Sequence, residues 1–571
     1  MSNQPAMSVV SPRGLLSDQS DNVAAGDTVD ALVVGAGFSG IRMLIELHKL
    51  GLSARVLDAG EDVGGTWHWN RYPGARTDSE SHIYCLSFSQ EILDTWDWKE
   101  RYPQWTEVGD YLKFVTDKFD LRPDIQFNTR VVSARHDSTT NRWTVVTHTG
   151  QTFTCTYLIT GLGILSLPVV PEWEGRDRFR GEILLTADWP KEGADLSGKR
   201  VALVGTGATG IQVVPVVAEE VAELTVFQRT PNYAVPGQNY ELDDAKRAQI
   251  RADYDSIWTK ARNHVFGFAL SPAGRMYDDV TDEERERIFE ENWQRGGWEF
   301  LFETFDDIVI DRRSNDAAAE FIRNKIRSIV TDPDTAELLC PKGYPYVGKR
   351  PPLAHGYYEA FNRDNVTLVD VSEDGLAAFT ETGLRTRDGR EFEADVIIFA
   401  TGFDAVTGPF ERIDIRNGAG ASLKEQWDEG ASTHLGLGAP GFPNLLMISG
   451  PQCLYANFPM VSEMNVEWIG ELLGSMREKG LDSVEVTAEA AEAWSAHLDE
   501  VFQMTVLTDG AKVGSWYLGA NIPGKPQKIL FYFGGAAAYT AAWERTRDND
   551  FAGFTLTSSD AESKEAAAVA G

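Results

Sequence analysis

Two rhythms of apolar and polar positions run along this chain. Short apolar runs of strand length recur at Ala31-Leu32-Val33-Val34, Val201-Ala202-Leu203-Val204, Leu224-Thr225-Val226-Phe227, Val366-Thr367-Leu368-Val369 and Val396-Ile397-Ile398-Phe399-Ala400. Runs with so little polar face are the pattern of strands covered on both sides. Between them lie segments with apolar residues three and four apart, such as Ile41, Leu44 and Ile45, or Ile211, Val214 and Ala218, and this spacing predicts helices. Strand and helix in alternation predict an α/β fold built on parallel sheets. Gln126-Phe127, residues 130–135 and 143–147, and a closing run Tyr157-Leu158-Ile159-Thr160-Gly161 read instead as the strands of a meander. Residues 240–338 change character: 243–261 and 282–294 are charged and helical in pattern, so this stretch reads as a helical insertion.

Two of the strand-to-helix junctions carry chemistry. The first run stops at Gly35-Ala36-Gly37-Phe38-Ser39-Gly40, where glycines let the backbone turn sharply and approach a ligand. The helix that follows points unpaired N–H groups and its positive end at a diphosphate. A lone turn of this form recurs for steric reasons alone, but here the next strand, Ala54-Arg55-Val56-Leu57, ends at Asp58, about twenty residues on, where a carboxylate can accept from a ribose diol. The second junction, Gly205-Thr206-Gly207-Ala208-Thr209-Gly210, repeats the motif, but its following strand ends in Gln228-Arg229-Thr230. An acid suits a free 2'-hydroxyl, whereas Arg229 can make charge-assisted bonds to a 2'-phosphate. The first unit therefore reads as FAD or NAD type and the second as NADP type. Pro215 deprives the second helix of a hydrogen bond, and nearness to the N-terminal end is the one account the pattern offers.

After Asp58 the stretch from Gly64 to Asp78 is too rich in glycine, aromatics and Pro-Gly for a regular helix and reads as a shaped loop. Trp67, Trp69 and Tyr72 taken alone read as packing. Asp78, a carboxylate at the end of such a loop, needs a cationic partner if it is desolvated. The aromatic residues of 94–105 read as core. Thr160-Gly161 and Thr401-Gly402 each close an apolar strand and read as crossings between domains, and the C-terminal third, with a helix over 461–476, reads as returning to complete the first domain.

Composition sets the outer limits. With 571 residues the chain is long enough for roughly three or four domain-sized units. The formal net charge of -33 opposes nucleic acid or an anionic membrane as partner. Cys85, Cys155, Cys340 and Cys453 are scattered without a C-x-x-C pair, which suits a reducing cytosol and disfavours a disulfide framework or dithiol centre. No apolar run reaches membrane-spanning length and no secretory signal opens the chain, so a cytoplasmic protein is expected. The expected organisation is a flexible arm over 1–27, an FAD-binding domain from 28–163 and 400–556, an NADP-binding domain from 164–239 and 339–399, the helical insertion, and a tail over 557–571.

Taken together, the paired glycine turns, the loop Gly-Gly-Thr-Trp-x-x-x-x-Tyr-Pro-Gly-x-x-x-Asp at 64–78 and the stretch Phe179-Arg180-Gly181-Glu182-Ile183-Leu184-Leu185-Thr186-Ala187-Asp188-Trp189-Pro190 resemble type I Baeyer-Villiger monooxygenases. The resemblance spans about 28 to 556. It is nearest to the phenylacetone and large-ring ketone branch through Val226 to Pro231, Lys349-Arg350, and the run from Ser515 to Pro526. It implies an enzyme that uses NADPH, FAD and dioxygen to convert a ketone into an ester or lactone through a flavin peroxide. It further implies catalytic roles for Arg350, which cannot lose its charge, and for Asp78, which orients it. FAD would be held by Gly35, Gly37, Phe38, Ser39, Gly40, Asp58, Gly65, Thr66, Trp67, Trp69, Asp78, Tyr84 and Val131. NADP would be held by Gly205, Thr206, Gly207, Ala208, Thr209, Gly210, Gln212, Arg229, Thr230, Lys349, Arg350 and Trp516, with Arg229, Thr230 and Lys349 at the 2'-phosphate and Trp516 on a mobile loop over the nicotinamide ribose. The expected partners are a small ketone and O2, in a monomer or weak oligomer, with no metal.

One position departs from the family's Phe-x-Gly-x-x-x-His-x-x-x-Trp-Pro fingerprint: Leu185 stands where the histidine is expected, in a linker between the nucleotide units. The departure keeps open a related flavin monooxygenase acting on amines or sulfides, and a flavin- and NADP-binding module impaired in turnover. A disulfide reductase shares the two-nucleotide layout but lacks its C-x-x-C here. Residues 450–460, apolar and aromatic, are candidates for lining a pocket for a bulky hydrophobic substrate, or equally for packing.

Overall fold

The computed structural model describes residues 7–8 and 25–558. Most of the arm over 1–27 and of the tail over 557–571 therefore lies outside the described residues.

The first nucleotide strand extends over Ala25–Val34 and sits in the middle of an eight-stranded sheet. It pairs in parallel with Ala54–Leu57 on one side and Thr152–Thr160 on the other. Thr152–Thr160 then divides its far edge between two partners. Arg142–Thr147 runs antiparallel to its first half, and Leu445–Met447 runs parallel to its last three residues. Val131–Asp137 pairs antiparallel with Arg142–Thr147, and Asp414–Arg416 closes that edge. The meander thus forms, with the alternating burial of an antiparallel sheet that has one wet face. Ile125–Gln126 is not part of it, however: it lies on Ala54–Leu57 at the opposite edge, because residues 105–118 form a helix that carries the chain across the sheet first.

Two strands of the C-terminal third join this sheet, and the long helix Phe458–Lys479 packs on the first nucleotide helix, Phe38–Lys49. Gly470 makes the approach possible, since a Cβ there would stand 2.8 Å from the Glu46 side chain, and Ser39 Oγ meets Ser462 Oγ at 2.9 Å.

The second sheet has five strands, all parallel, in the order Val366–Asp370, Glu223–Gln228, Arg200–Val204, Val396–Phe399, Glu182–Leu185. Its nucleotide helix is short, Ala208–Val217, and Pro215 falls in the last turn. Nearness to the N-terminal end therefore does not explain the proline. At that position the proline costs the helix the bond to the Ile211 carbonyl, and no feature of the structure explains it. The loop after Asp58 also contains regular structure that its composition argued against, a single helical turn over Thr66–Trp69.

Residues 244–263, 282–295 and 312–329 form the main helices of the insertion. Each starts on a side chain that accepts from the first turn: Asp243, Thr281 with a reciprocal Glu284, and Asp311. Phe289, Trp293, Phe300, Phe305 and Phe321 form their shared core.

Candidate active site

Each nucleotide turn is shaped by glycines with no room for a side chain. Gly35 has φ +108°, and a Cβ on it would collide with the Gly161 carbonyl, while one on Gly40 would collide with the Gly35 carbonyl. Gly37 caps the helix Phe38–Lys49 without a side-chain hydrogen bond, leaving the first amides to a ligand. Asp58 is buried at the strand end, where Oδ2 accepts from Ala36 N and Oδ1 from Gly60 N, both at 2.6 Å. These bonds let it shape the turn.

In the second unit Gly205, φ +114°, passes equally close to the Ala400 carbonyl, so that each glycine turn packs on the end of an apolar strand, at Gly161 in one unit and at Ala400 in the other. Gly207 caps Ala208–Val217 without a side-chain bond and faces open space. At the end of Glu223–Gln228 stand Arg229 and Thr230, whose carbonyl accepts from Thr206 Oγ1 at 3.3 Å. Lys349 lies beside Arg229. Burial, and then the Arg229 guanidinium, push the lysine down to about 8, and burial also lowers Arg229. Among the described residues neither cation forms an ion pair with a carboxylate. Two neighbouring cations at the cavity wall, Lys349 half-buried and Arg229 exposed, with no carboxylate to pair them, are the electrostatic complement of a phosphate dianion.

Between the two turns Arg350 Nη1 donates to Asp78 Oδ2 at 2.6 Å, although 272 positions separate them. Burial works against the arginine's charge, but Asp78 outweighs it and raises the guanidinium above its ordinary value. Asp78 is itself almost fully buried, and its Oδ1 has no hydrogen-bond partner. Trp298, from the insertion, donates from Nε1 to the Asp78 carbonyl, and its ring lies 5.7 Å from the Arg350 guanidinium carbon. The loop that ends at Asp78 is tied to the helix Ala208–Val217 as well: Tyr72 OH donates to Gln212 Oε1 at 2.8 Å, and Gln212 Nε2 donates to the Arg76 carbonyl at 3.1 Å.

A cavity of about 530 Å³ lies at this junction. Its walls include Thr66, Trp67, Asp78 and Tyr84 on one side and Gly205 to Thr209, Gln212, Arg229, Thr230, Lys349 and Arg350 on the other, with Trp516 between them. Tyr84 stands edge-on to both Phe38 and Trp67, at 5.5 and 5.6 Å. Trp67 Nε1 is buried without a partner. Of the residues expected at FAD, Gly35, Gly37, Phe38, Ser39, Gly40, Asp58 and Gly65 are not in this wall, and neither are Trp69, which packs edge-on to His68, and Val131, which belongs to a separate apolar cluster with Trp143 and Phe153.

Several wall residues escaped sequence reasoning. Phe266, Phe268, Trp298 and Leu301 come from the insertion, and Tyr517 stands beside Trp516. The apolar stretch 265–270, set in a charged insertion, was the available signal. From residues 450–460, Tyr455 to Phe458 line the cavity, while Cys453 and Leu454 are packing. The segment holding Trp516 is fastened at its far end by Lys525, whose ammonium pairs with the buried Asp404 and, at 3.4 Å, with Glu411, and by Asn521 Nδ2 donating to the Phe403 carbonyl at 2.8 Å. Leu185 ends the edge strand of the second sheet in register with Phe399 and packs against the apolar cluster there.

A family model described as flavin-binding monooxygenase-like matches residues 29–236. A Baeyer-Villiger monooxygenase of Pseudooceanicola batsensis is 45% identical, the match covering 93% of this chain and 97% of the relative. The phenazine N-monooxygenase PhzNO1 of Lysobacter antibioticus is 42% identical over 93% of this chain and 97% of its own length. The crystal structure of cyclohexanone monooxygenase from Rhodococcus sp. Phi1 bound to NADP+ superposes with a TM-score of 0.91 at 40% identity, covering 94% of this chain and 100% of that one. Fold and site thus define a flavin- and NADP-dependent monooxygenase. Within that class the chain belongs to the type I Baeyer-Villiger monooxygenases.

The residues present fit both cofactors. The uncapped helix starts and crowded glycines suit two diphosphates, Trp67 Nε1 and Asp78 Oδ1 are buried without a hydrogen-bond partner on the side of the first turn, and the Arg229–Lys349 pair suits a phosphate.

Proposed function

We propose that this enzyme converts a bulky, hydrophobic ketone into an ester or lactone: ketone, O2, NADPH and a proton give the ester, NADP+ and water. The Arg350–Asp78 contact at 2.6 Å beside the cavity is the observation that carries this reading. The glycine turn at 35–40 and Asp58 would hold FAD, which would supply acceptance of hydride from NADPH and, when reduced, activation of dioxygen for transfer of one oxygen atom.

The chain's residues supply the surroundings of that chemistry. Arg350 places a fixed positive charge where negative charge develops, and Asp78 orients it. Arg229, Thr230 and Lys349 hold the 2'-phosphate, and the glycine turns at 35–40 and 205–210 hold the diphosphates. Tyr84 and Trp67 line the cavity where the flavin ring would lie, and Trp516 with the aromatic residues of the insertion would keep the site dry. Those same rings favour a large apolar substrate.

Replacing Arg350 by Ala should leave flavin content close to parental and reduce ester formation by at least about a hundredfold, the scale of losing a group aimed at developing charge. Gas chromatography of products alongside the flavin absorbance checks this, and near-parental ester yield overturns the role. A second reading, oxidation of a ring nitrogen or a sulfide, is favoured by the 42% identity to a phenazine N-monooxygenase and by the aromatic walls. A panel of linear, cyclic and fused-ring ketones set beside N-heterocycles and thioethers, analysed by mass spectrometry, separates the two. NADPH and O2 consumption that depends on substrate excludes an impaired binding module with Leu185.

A further inference from the structure

Two tyrosines of the cavity wall meet each other beside Arg350. Tyr455, on the loop from the C-terminal third, and Tyr517, next to Trp516, bring their hydroxyl oxygens to 3.1 Å. Both rings line the cavity beside Arg350, and both are buried. Tyr455 is surrounded by the rings of Phe266, Tyr517, Phe531 and Phe533 at 5.0 to 5.3 Å, which fix its direction.

A proton count gives the pair its chemistry. Two phenols carry two O–H protons, and the single contact between them uses one, whichever is the donor. Arg350 is a donor only and cannot receive the other. Among the described residues neither hydroxyl has a further hydrogen-bond acceptor. One O–H is therefore left for a ligand, on a hydroxyl polarised by its neighbour and by the guanidinium. The Arg350 charge acts on both phenols, opposing the rise that burial causes. An acceptor placed here meets a fixed cation and a neutral donor from two different elements, the arrangement that binds a carbonyl oxygen and tightens as it becomes an oxyanion.

We propose that the Tyr455–Tyr517 hydroxyl pair donates a hydrogen bond to the substrate's carbonyl oxygen, and to the oxyanion formed when that carbon is attacked, acting together with Arg350. The assignment rests on the ketone reading. It extends that reading by separating carbonyl substrates, which need the donor, from thioethers, whose sulfur accepts oxygen directly and develops no oxyanion on carbon.

The test uses the FAD-loaded enzyme and its Tyr455→Phe, Tyr517→Phe and doubly substituted variants. Each variant should lower kcat/KM for ketones roughly ten- to a hundredfold, and the double should lose little more than either single, because the pair acts as a unit. Anaerobic reduction by NADPH and the rate of thioether oxidation should stay near parental, and calorimetry with the oxidised enzyme should show weaker ketone binding. A Tyr455→Phe enzyme with parental ketone turnover overturns the assignment, as does a parallel loss on ketone and thioether. If Tyr455→Phe fails to retain flavin, Tyr517→Phe gives the same readings. A parental enzyme that oxidises the thioether but makes no ester overturns the ketone reading itself, and that outcome is distinct from equal ester formation by parent and variants.

Discussion

The cations at the second nucleotide turn show how a single residue's environment sets a measurable property. Lys349 sits at about 8 because burial and Arg229 both disfavour its charge. A bound phosphate reverses that balance, so the protonated lysine is the binding form. The sign follows: below about pH 8 free enzyme holds the proton and binds NADPH well, and above it the KM for NADPH should climb while kcat at saturating NADPH changes less. A pH series of initial rates tests this. Lys349→Ala should abolish the rise and give a KM for NADPH elevated throughout, while leaving the KM for NADH, which carries no 2'-phosphate, unchanged. Arg229, which keeps its proton across the range, should when replaced raise KM at every pH.

At the scale of an element, the glycine turns were legible because their demand is local. Gly35 and Gly205 have positive φ and a carbonyl in the space a Cβ needs, and such a need is written as a glycine in the sequence itself. Gly40→Ala should thus push the first helix off its strand, reducing stability by about 1–3 kcal/mol and releasing flavin on dilution. Denaturant melts and the bound-flavin ratio measure both. The short apolar strands were legible for the same local reason. What was not legible depends on who sits opposite. The place of Gln126 at the far edge and the meeting of Tyr455 with Tyr517 across 62 positions are set by tertiary packing, which no sequence period encodes. Asp78 advertised its need for a cation through its setting. That Arg350 answers it came from family resemblance, since 272 residues separate the two.

Across the whole molecule, the active site is a junction rather than a pocket in one domain: the loop that ends at Asp78, the second sheet with its glycine turn, the insertion and the C-terminal third each contribute walls. The Lys525–Asp404 pair matters at this scale because it fastens the Trp516 segment to the point where the second sheet hands the chain back to the first. Lys525→Met leaves a buried carboxylate uncompensated, so stability should fall by about 3 kcal/mol, and the KM for NADPH should rise several-fold with flavin content retained. Thermal melts and steady-state rates report the two effects separately, and an unchanged KM would show the fastening to be structural alone.

The strand Thr152–Thr160, held along its far edge by the meander in its first half and by Leu445–Met447 in its last residues, has a temporal consequence. As the chain leaves the ribosome, the nucleotide fold that is first to be made is the last to be sealed. Its rim stays bare through the emergence of nearly three hundred further residues, during which chaperone cover or the meander alone must guard it against joining a neighbour.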